Sequence, residues 1–176
     1  IEVHMSKGTA DKLGVEHHNL KHVGHMEDIE TEEFKIKAFN TEHDAAEPLG
    51  FLIYNKATHE KLLFATDTYY LKHKFTGLHY IIMECNYAIE ILRENIDTGR
   101  INKSLAKRLL TSHFSLDNVK KFILANDMTH VQKIILIHLS DSNSDEALFK
   151  TEVEKVSKKE VVIADKNQEI ELERAF

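Results

Sequence analysis

Three polar side chains stand where apolar runs end. Asp67 closes LLFATDT, His138 closes KIILIHLS, and His43 sits in FNTEHDAAEPLGF just ahead of an apolar segment. A carboxylate and two imidazoles form a donor set suited to zinc or manganese. An Asp buried beside an apolar run is costly unless a cation or hydrogen bonds satisfy it. A fourth candidate, His113 in TSHFSLDNV, directly precedes the helix-capping residue Ser115. Helix starts attract anions, so an imidazole there can give a proton to a phosphate or leaving oxygen. Each residue also has a plain reading. Asp67 can cap a turn through Thr66 or Thr68, His138 can be a satisfied core imidazole, and His43 and His113 can be surface residues. Their joint placement favours a site.

The elements that must position them follow from the pattern. Short strands fit 1–4, 34–38, 49–55, 60–68, 79–86 and 131–140, the segment 79–86 being apolar enough for burial on both faces. The turn at Lys56–His59 predicts an antiparallel hairpin. Helices are expected over 7–14 behind Ser6, 86–95 behind Asn86, 104–110, after Ser115, and after Ser144. EVVIAD and EIELER read as two final strands around the Lys166–Asn167 turn. Hairpins followed by alternating β and α give an α/β fold with a mixed sheet. Strand ends in such a sheet are where reactive side chains gather at a crevice. VEHHNLKHVGHMED would align His18, His22 and His25 if helical, but Gly14 and Gly24 interrupt it, so a solvated connector is preferred.

Composition bounds the rest. The chain has 176 residues, a net charge of −6, twelve His, one Cys and one Pro. The charge argues against a broad basic face gripping nucleic acid, and the single Cys against a disulfide framework or a Cys-built zinc site. No run is long enough to span a bilayer and no secretory signal is visible, so the cytoplasm is the expected compartment and no membrane partner is expected. Tyr69, Tyr70, Phe75 and Tyr80 around LKHKF can line a substrate mouth with Lys72, His73 and Lys74. A packed loop with a solvated basic tip is the plainer reading.

The ordered segments TEHDAAEPLGF, FATDT, ECN, TSHFSLDNV and LIHLSDSN resemble the metallo-β-lactamase fold hydrolases over about residues 1–172. The similarity is to the phosphodiesterase and nuclease branch, with ribonuclease Z, the phosphonate-pathway cyclic phosphodiesterase and small bacterial exonucleases. The resemblance implies an αββα sandwich, with mixed sheets inside and helices outside. It further implies a site of two Zn2+ (Mn2+ as the alternative) that activates a hydroxide against a phosphodiester or nucleic-acid substrate. His43 and His138 would be metal ligands, Asp67 a catalytic residue bridging the metals, and His113 a catalytic residue. Glu84 and Asn86 match a supporting Glu-x-Asn element, with Asn86 and Ser115 as candidate substrate contacts.

One departure is large. The family's His-x-His-x-Asp-His loop has no counterpart, because the sequence contains no His-x-His. The resemblance therefore implies one domain over 1–176 that is N-terminally incomplete, the C-terminal portion of the fold. A truncated or cleaved product, a missing part present as another piece, and a degenerate metal-free member remain as explanations. Open strand edges would favour a homodimer. Besides a hydrolase of phosphodiesters, two readings stay open: a non-catalytic scaffold module, and a hydrolase of thioesters or lactones.

Overall fold

The computed structural model describes residues 1–172. Its elements run β1 (Val3–Met5), α1 (Lys7–Leu13), β2 (Leu20–His22), β3 (Asp28–Glu30), β4 (Phe34–Asn40), β5 (Leu49–Asn55), β6 (Lys61–Ala65), β7 (Tyr80–Glu84), α2 (Ile89–Asp97), α3 (Lys103–Ser112), α4 (Leu116–Ala125), β8 (Lys133–Ile137), α5 (Glu146–Ser157) and β9 (Glu160–Ile163). β3 to β9 form one seven-stranded sheet in sequence order, and β1 pairs with β2 in a separate parallel pair. β3 through β6 are antiparallel neighbours; β6, β7, β8 and β9 are parallel.

Two-residue alternation splits the sheet's side chains between its faces. Leu63, Ala65, Ile81, Met83, Ile134, Leu136 and Val161 are buried in one cluster with Val119, Phe122 and Ile123 of α4 and Phe149 and Val153 of α5. The strands alternate with these positions on their other face, where register aligns Phe51, Phe64, Ile82, Ile135 and Val162 across five strands. Two smaller clusters hold the periphery: Tyr87, Leu92, Ile101 and Ala106 under α2 and α3, and Val23, Ile29 and Ala38 beside β3.

Helix boundaries follow their caps. Ser6 accepts from Thr9 N–H and Gly14 closes α1 with φ +64°. Ser115 accepts from Asn118 N–H. Two caps, those of α2 and α5, differ from the expected ones. α2 begins after Ala88, which makes no side-chain cap, two residues beyond Asn86. Asn102 caps α3 and Asp145, one residue beyond Ser144, caps α5.

β2 lies in the stretch read as a connector, and β3 starts at its last residue, Asp28. The His18, His22 and His25 face does not form, since His22 is in β2 and His25 Nδ1 instead accepts Asn40 N–H at 3.0 Å. The expected final strand EIELER is corrected as well. The turn at Lys166–Asn167 is present, but 168–172 adopt no strand; Glu171 offers its carbonyl to Lys133 Nζ at 3.0 Å rather than joining a ladder. Residues 173–174 of that segment lie outside the described residues. Among the described residues, no helix is long and apolar enough to cross a membrane.

Candidate metal centre

Parallel register carries the site. β6, β7 and β8 end side by side, with Ala65 opposite Met83 and Glu84 opposite Ile137. Their carboxyl ends therefore deliver Asp67, Glu84 and His138 to one place. Asp67 and His138 both adopt the left-handed region, at φ +48° and +58°. Asp and His are among the non-glycine residues that tolerate it, and it turns each chain sharply off its strand. Such backbone outliers concentrate at functional sites.

His113 reaches the same place from the other side. It is the C-cap of α3, and residues 114–116 run beside the extension of β7: Asn86 N–H donates to Phe114 O at 2.8 Å and Leu116 N–H to Tyr87 O at 2.9 Å. One donor atom from each of Asp67, Glu84, His113 and His138 lies within 4.8 Å of the others.

Glu84 is the hub. It has no exposed surface. Its Oε1 lies 2.6 Å from His113 Nδ1 and 2.8 Å from His138 Nδ1. Its Oε2 accepts the backbone N–H of Thr68 at 3.1 Å and of Phe114 at 3.2 Å. A carboxylate has about four lone-pair sites, and these four donors use them. Glu84 is thus a positioning group with no capacity left for a cation. A carboxylate only accepts, so both imidazoles carry hydrogen on Nδ1 and turn Nε2 away from Glu84. Ligating histidines are held in this way, by a carboxylate behind the ring.

Asp67 stands in front of these rings, its Oδ1 3.4 Å from His138 Nδ1 and 3.8 Å from His113 Nδ1. His43 closes the other flank, with Nε2 3.9 Å from Asp67 Oδ1 and its ring centroid 5.3 Å from that of His113. Its Nδ1 accepts the Ala45 N–H at 3.0 Å and lies 3.4 Å from Asp44 Oδ1. Accepting at Nδ1 puts the hydrogen of neutral His43 on Nε2, the edge turned towards Asp67. Arg108 Nε fastens the His43 loop to α3 through Asp44 Oδ2 at 2.7 Å, and holds the Asp44 carboxyl below the usual range. The Glu84 hydrogen bond raises the His113 pKa above that of a free imidazole; burial opposes it, and the charges of Glu84, Asp67 and Asp44 add to the rise.

His43, Asp67, His113 and His138 are therefore brought together. Asn86 and Ser115 lie beside them, the Asn86 Nδ2 and the Ser115 hydroxyl engaged in structure and the buried Asn86 Oδ1 without a hydrogen-bond partner among the described residues. Asn86 Nδ2 donates to His138 O at 2.8 Å, fixing the strained residue, and the Ser115 hydroxyl caps α4. Glu84, read from sequence as mere support, is the residue on which both imidazoles hang.

The fold defined by this sheet, its helices and its strand-end site is the metallo-β-lactamase fold. The metallo-β-lactamase fold protein YhfI from Bacillus subtilis superposes with a TM-score of 0.61 at 13% identity, over 92% of this chain and 61% of that one. A diphosphatase of the PhnP family superposes with a TM-score of 0.55 at 12% identity, over 93% of this chain and 55% of that one. In sequence the chain is similar to an exodeoxyribonuclease, YycJ, of Bacillus anthracis, at 28% identity over 130 residues. That match covers 70% of this chain and 47% of the relative, so the chain spans about half the relative's length. No protein-family profile matches the chain.

Proposed function

We propose that this chain supplies one side of a metal-dependent phosphodiesterase or nuclease centre. The observation that carries the reading is the saturation of buried Glu84, which fixes two imidazoles with their Nδ1 atoms 3.4 and 3.8 Å from Asp67 Oδ1. One carboxylate and neutral imidazoles suit zinc, with manganese as the alternative. Asp67, His138 and His43 would hold the metal. When bound, a pair of such ions activates water and neutralises charge at phosphoryl oxygens.

The chain's own groups then have distinct tasks. His138 is oriented by Glu84 at Nδ1 and by Asn86 at its carbonyl. His113, held by Glu84 and inclined to keep its proton, donates from Nε2 to the oxygen that leaves. Asp67 faces His113, His138 and His43 at once, the position from which a carboxylate can bridge. The likeness to a protein named as an exodeoxyribonuclease and to one described as a diphosphatase supports a phosphoester over a thioester or lactone. Three ligands are about half of what a dinuclear site uses, so the others come from residues outside this chain.

The test is elemental analysis of the full-length protein, with hydrolysis of bis(p-nitrophenyl) phosphate as the activity readout. Stoichiometric metal and turnover are expected, both lost in Asp67→Ala and His138→Ala. The 176-residue chain by itself should bind metal weakly and turn nothing over. Full-length protein free of metal and inert towards the diester would replace the hydrolase by a scaffold module.

A further inference from the structure

Next to the centre lies a cleft of about 170 Å³ walled by Tyr70, Lys72, His73 and Lys74 on one side and by Lys121 of α4 on the other, with Phe122 in its floor. We propose that this cleft is the track for a single-stranded nucleic acid whose phosphodiester is presented to the centre. The inference rests on the phosphodiesterase reading and deepens it by naming a polymeric substrate.

The cleft is built into the site. Thr68, the residue after Asp67, donates its hydroxyl to Tyr70 O at 2.8 Å and its N–H to Glu84. Phe114, which also lines the cleft, donates its N–H to the same carboxylate. Asn118 Nδ2 of α4 donates to Tyr69 O at 2.9 Å, which ties helix to loop. Phe114 in the cleft wall directly follows His113, and Tyr70 at its rim lies three residues after Asp67.

Its chemistry is unlike the rest of the molecule. The chain is acidic, at −6, yet three lysines and a histidine meet here. Lys72 pairs with Glu42. Among the described residues, Lys74 and Lys121 form no ion pair, whereas the neighbouring Lys120 is bound to Glu152. Two unneutralised ammonium groups across one cleft suit successive phosphates. Tyr70 is 47% exposed, an aromatic face left open at the rim. Lysines along a backbone with an aromatic for base stacking are the elements of single-strand recognition. A duplex needs a broader basic face than an acidic chain offers.

The test measures binding of a fluorescein-labelled 12-nucleotide single strand to the full-length protein by anisotropy, in EDTA, from 50 to 400 mM KCl. Binding that weakens with salt is expected. Lys74→Ala with Lys121→Ala should lower affinity at least about tenfold and flatten the salt slope by about 1.4, since each phosphate contact on a single strand contributes about 0.7. The corresponding double Arg variant should retain binding, which separates charge from folding. Unchanged affinity and slope in the Ala variant, equal affinity for a duplex of the same sequence, or preference for a polyglutamate peptide each overturn the proposal. Hydrolysis of bis(p-nitrophenyl) phosphate without lysine-dependent strand binding would sink this inference and leave the phosphodiesterase reading standing. Lysine-dependent binding without any hydrolysis would do the reverse.

Discussion

His113 and His138, twenty-five residues apart in the chain, donate to one and the same oxygen, Glu84 Oε1, at 2.6 and 2.8 Å. One buried carboxylate therefore sets the tautomer and tilt of both rings. Glu84→Gln keeps the volume but offers one acceptor oxygen for four donors. Metal affinity should fall about 10–100-fold, as when groups behind ligands are altered elsewhere. Glu84→Ala also strands the N–H groups of Thr68 and Phe114, at about 1–3 kcal/mol each, so it should be less stable than Glu84→Gln. Metal titration and urea unfolding of the two variants check this; equal stability would remove Glu84 from the hub.

His138 holds φ +58° just after β8. A left-handed residue costs about 1–2 kcal/mol when it carries a Cβ, while glycine ordinarily costs about 0.5–1 kcal/mol in lost chain entropy. His138→Gly should thus be more stable than His138→Ala by about 0.5–1 kcal/mol, the reverse of the usual order. Both should lose metal. Thermal or urea unfolding of the metal-free variants measures the difference, and a more stable Ala variant would contradict the strained turn.

Gly50 in β5 lies opposite Phe39 of β4. A Cβ there would meet Phe39 Cε2 and Cζ at 2.6 Å and Phe64 O at 3.1 Å. The Phe39 ring is buried and cannot swing away. Gly50→Ala should cost about 1–3 kcal/mol of stability by overpacking. It should also loosen the His43 loop, which these strands close through Thr41 N–H and Pro48 O at 3.2 Å. An unfolding midpoint unchanged from the parent would show that the sheet yields there.

Cys85 is fully buried, and desolvation, with Glu84 adding to it, pushes its thiol well above the ordinary range. The native chain keeps this proton while the unfolded chain loses it near the ordinary value of about 8.5. The folded pKa being the higher, its contribution is complete below that value and drains away as pH rises beyond it, by up to about 1.4 kcal/mol per pH unit. Parent stability should fall more steeply than that of Cys85→Ala between pH 9 and 10.5. The native thiol should be inert to Ellman's reagent at pH 8 and react only on unfolding.

Asp67, His138, His43 and His113 were legible because each sits at the edge of an apolar run or a helix start, where a polar residue stands out. The part played by Glu84 was not. A Glu ending YIIME signals a buried carboxylate, but its four donors come from Thr68, His113, Phe114 and His138, which only the crossovers bring together. β2 escaped because Leu20 is its sole apolar residue, and a three-residue strand has no period to read. The basic loop 72–74 was visible, but Lys121 joins it only through the packing of α4.

Asp67 and His138 follow β6 and β8, the strands on either side of β7 with its positioning group Glu84, and main-chain hydrogen bonding fixes the spacing of all three strands. The donor atoms are consequently gathered before any ion arrives. Ion capture requires shedding hydration water rather than ordering protein, so loading should be rapid and should leave the amide exchange of β6, β7 and β8 almost untouched.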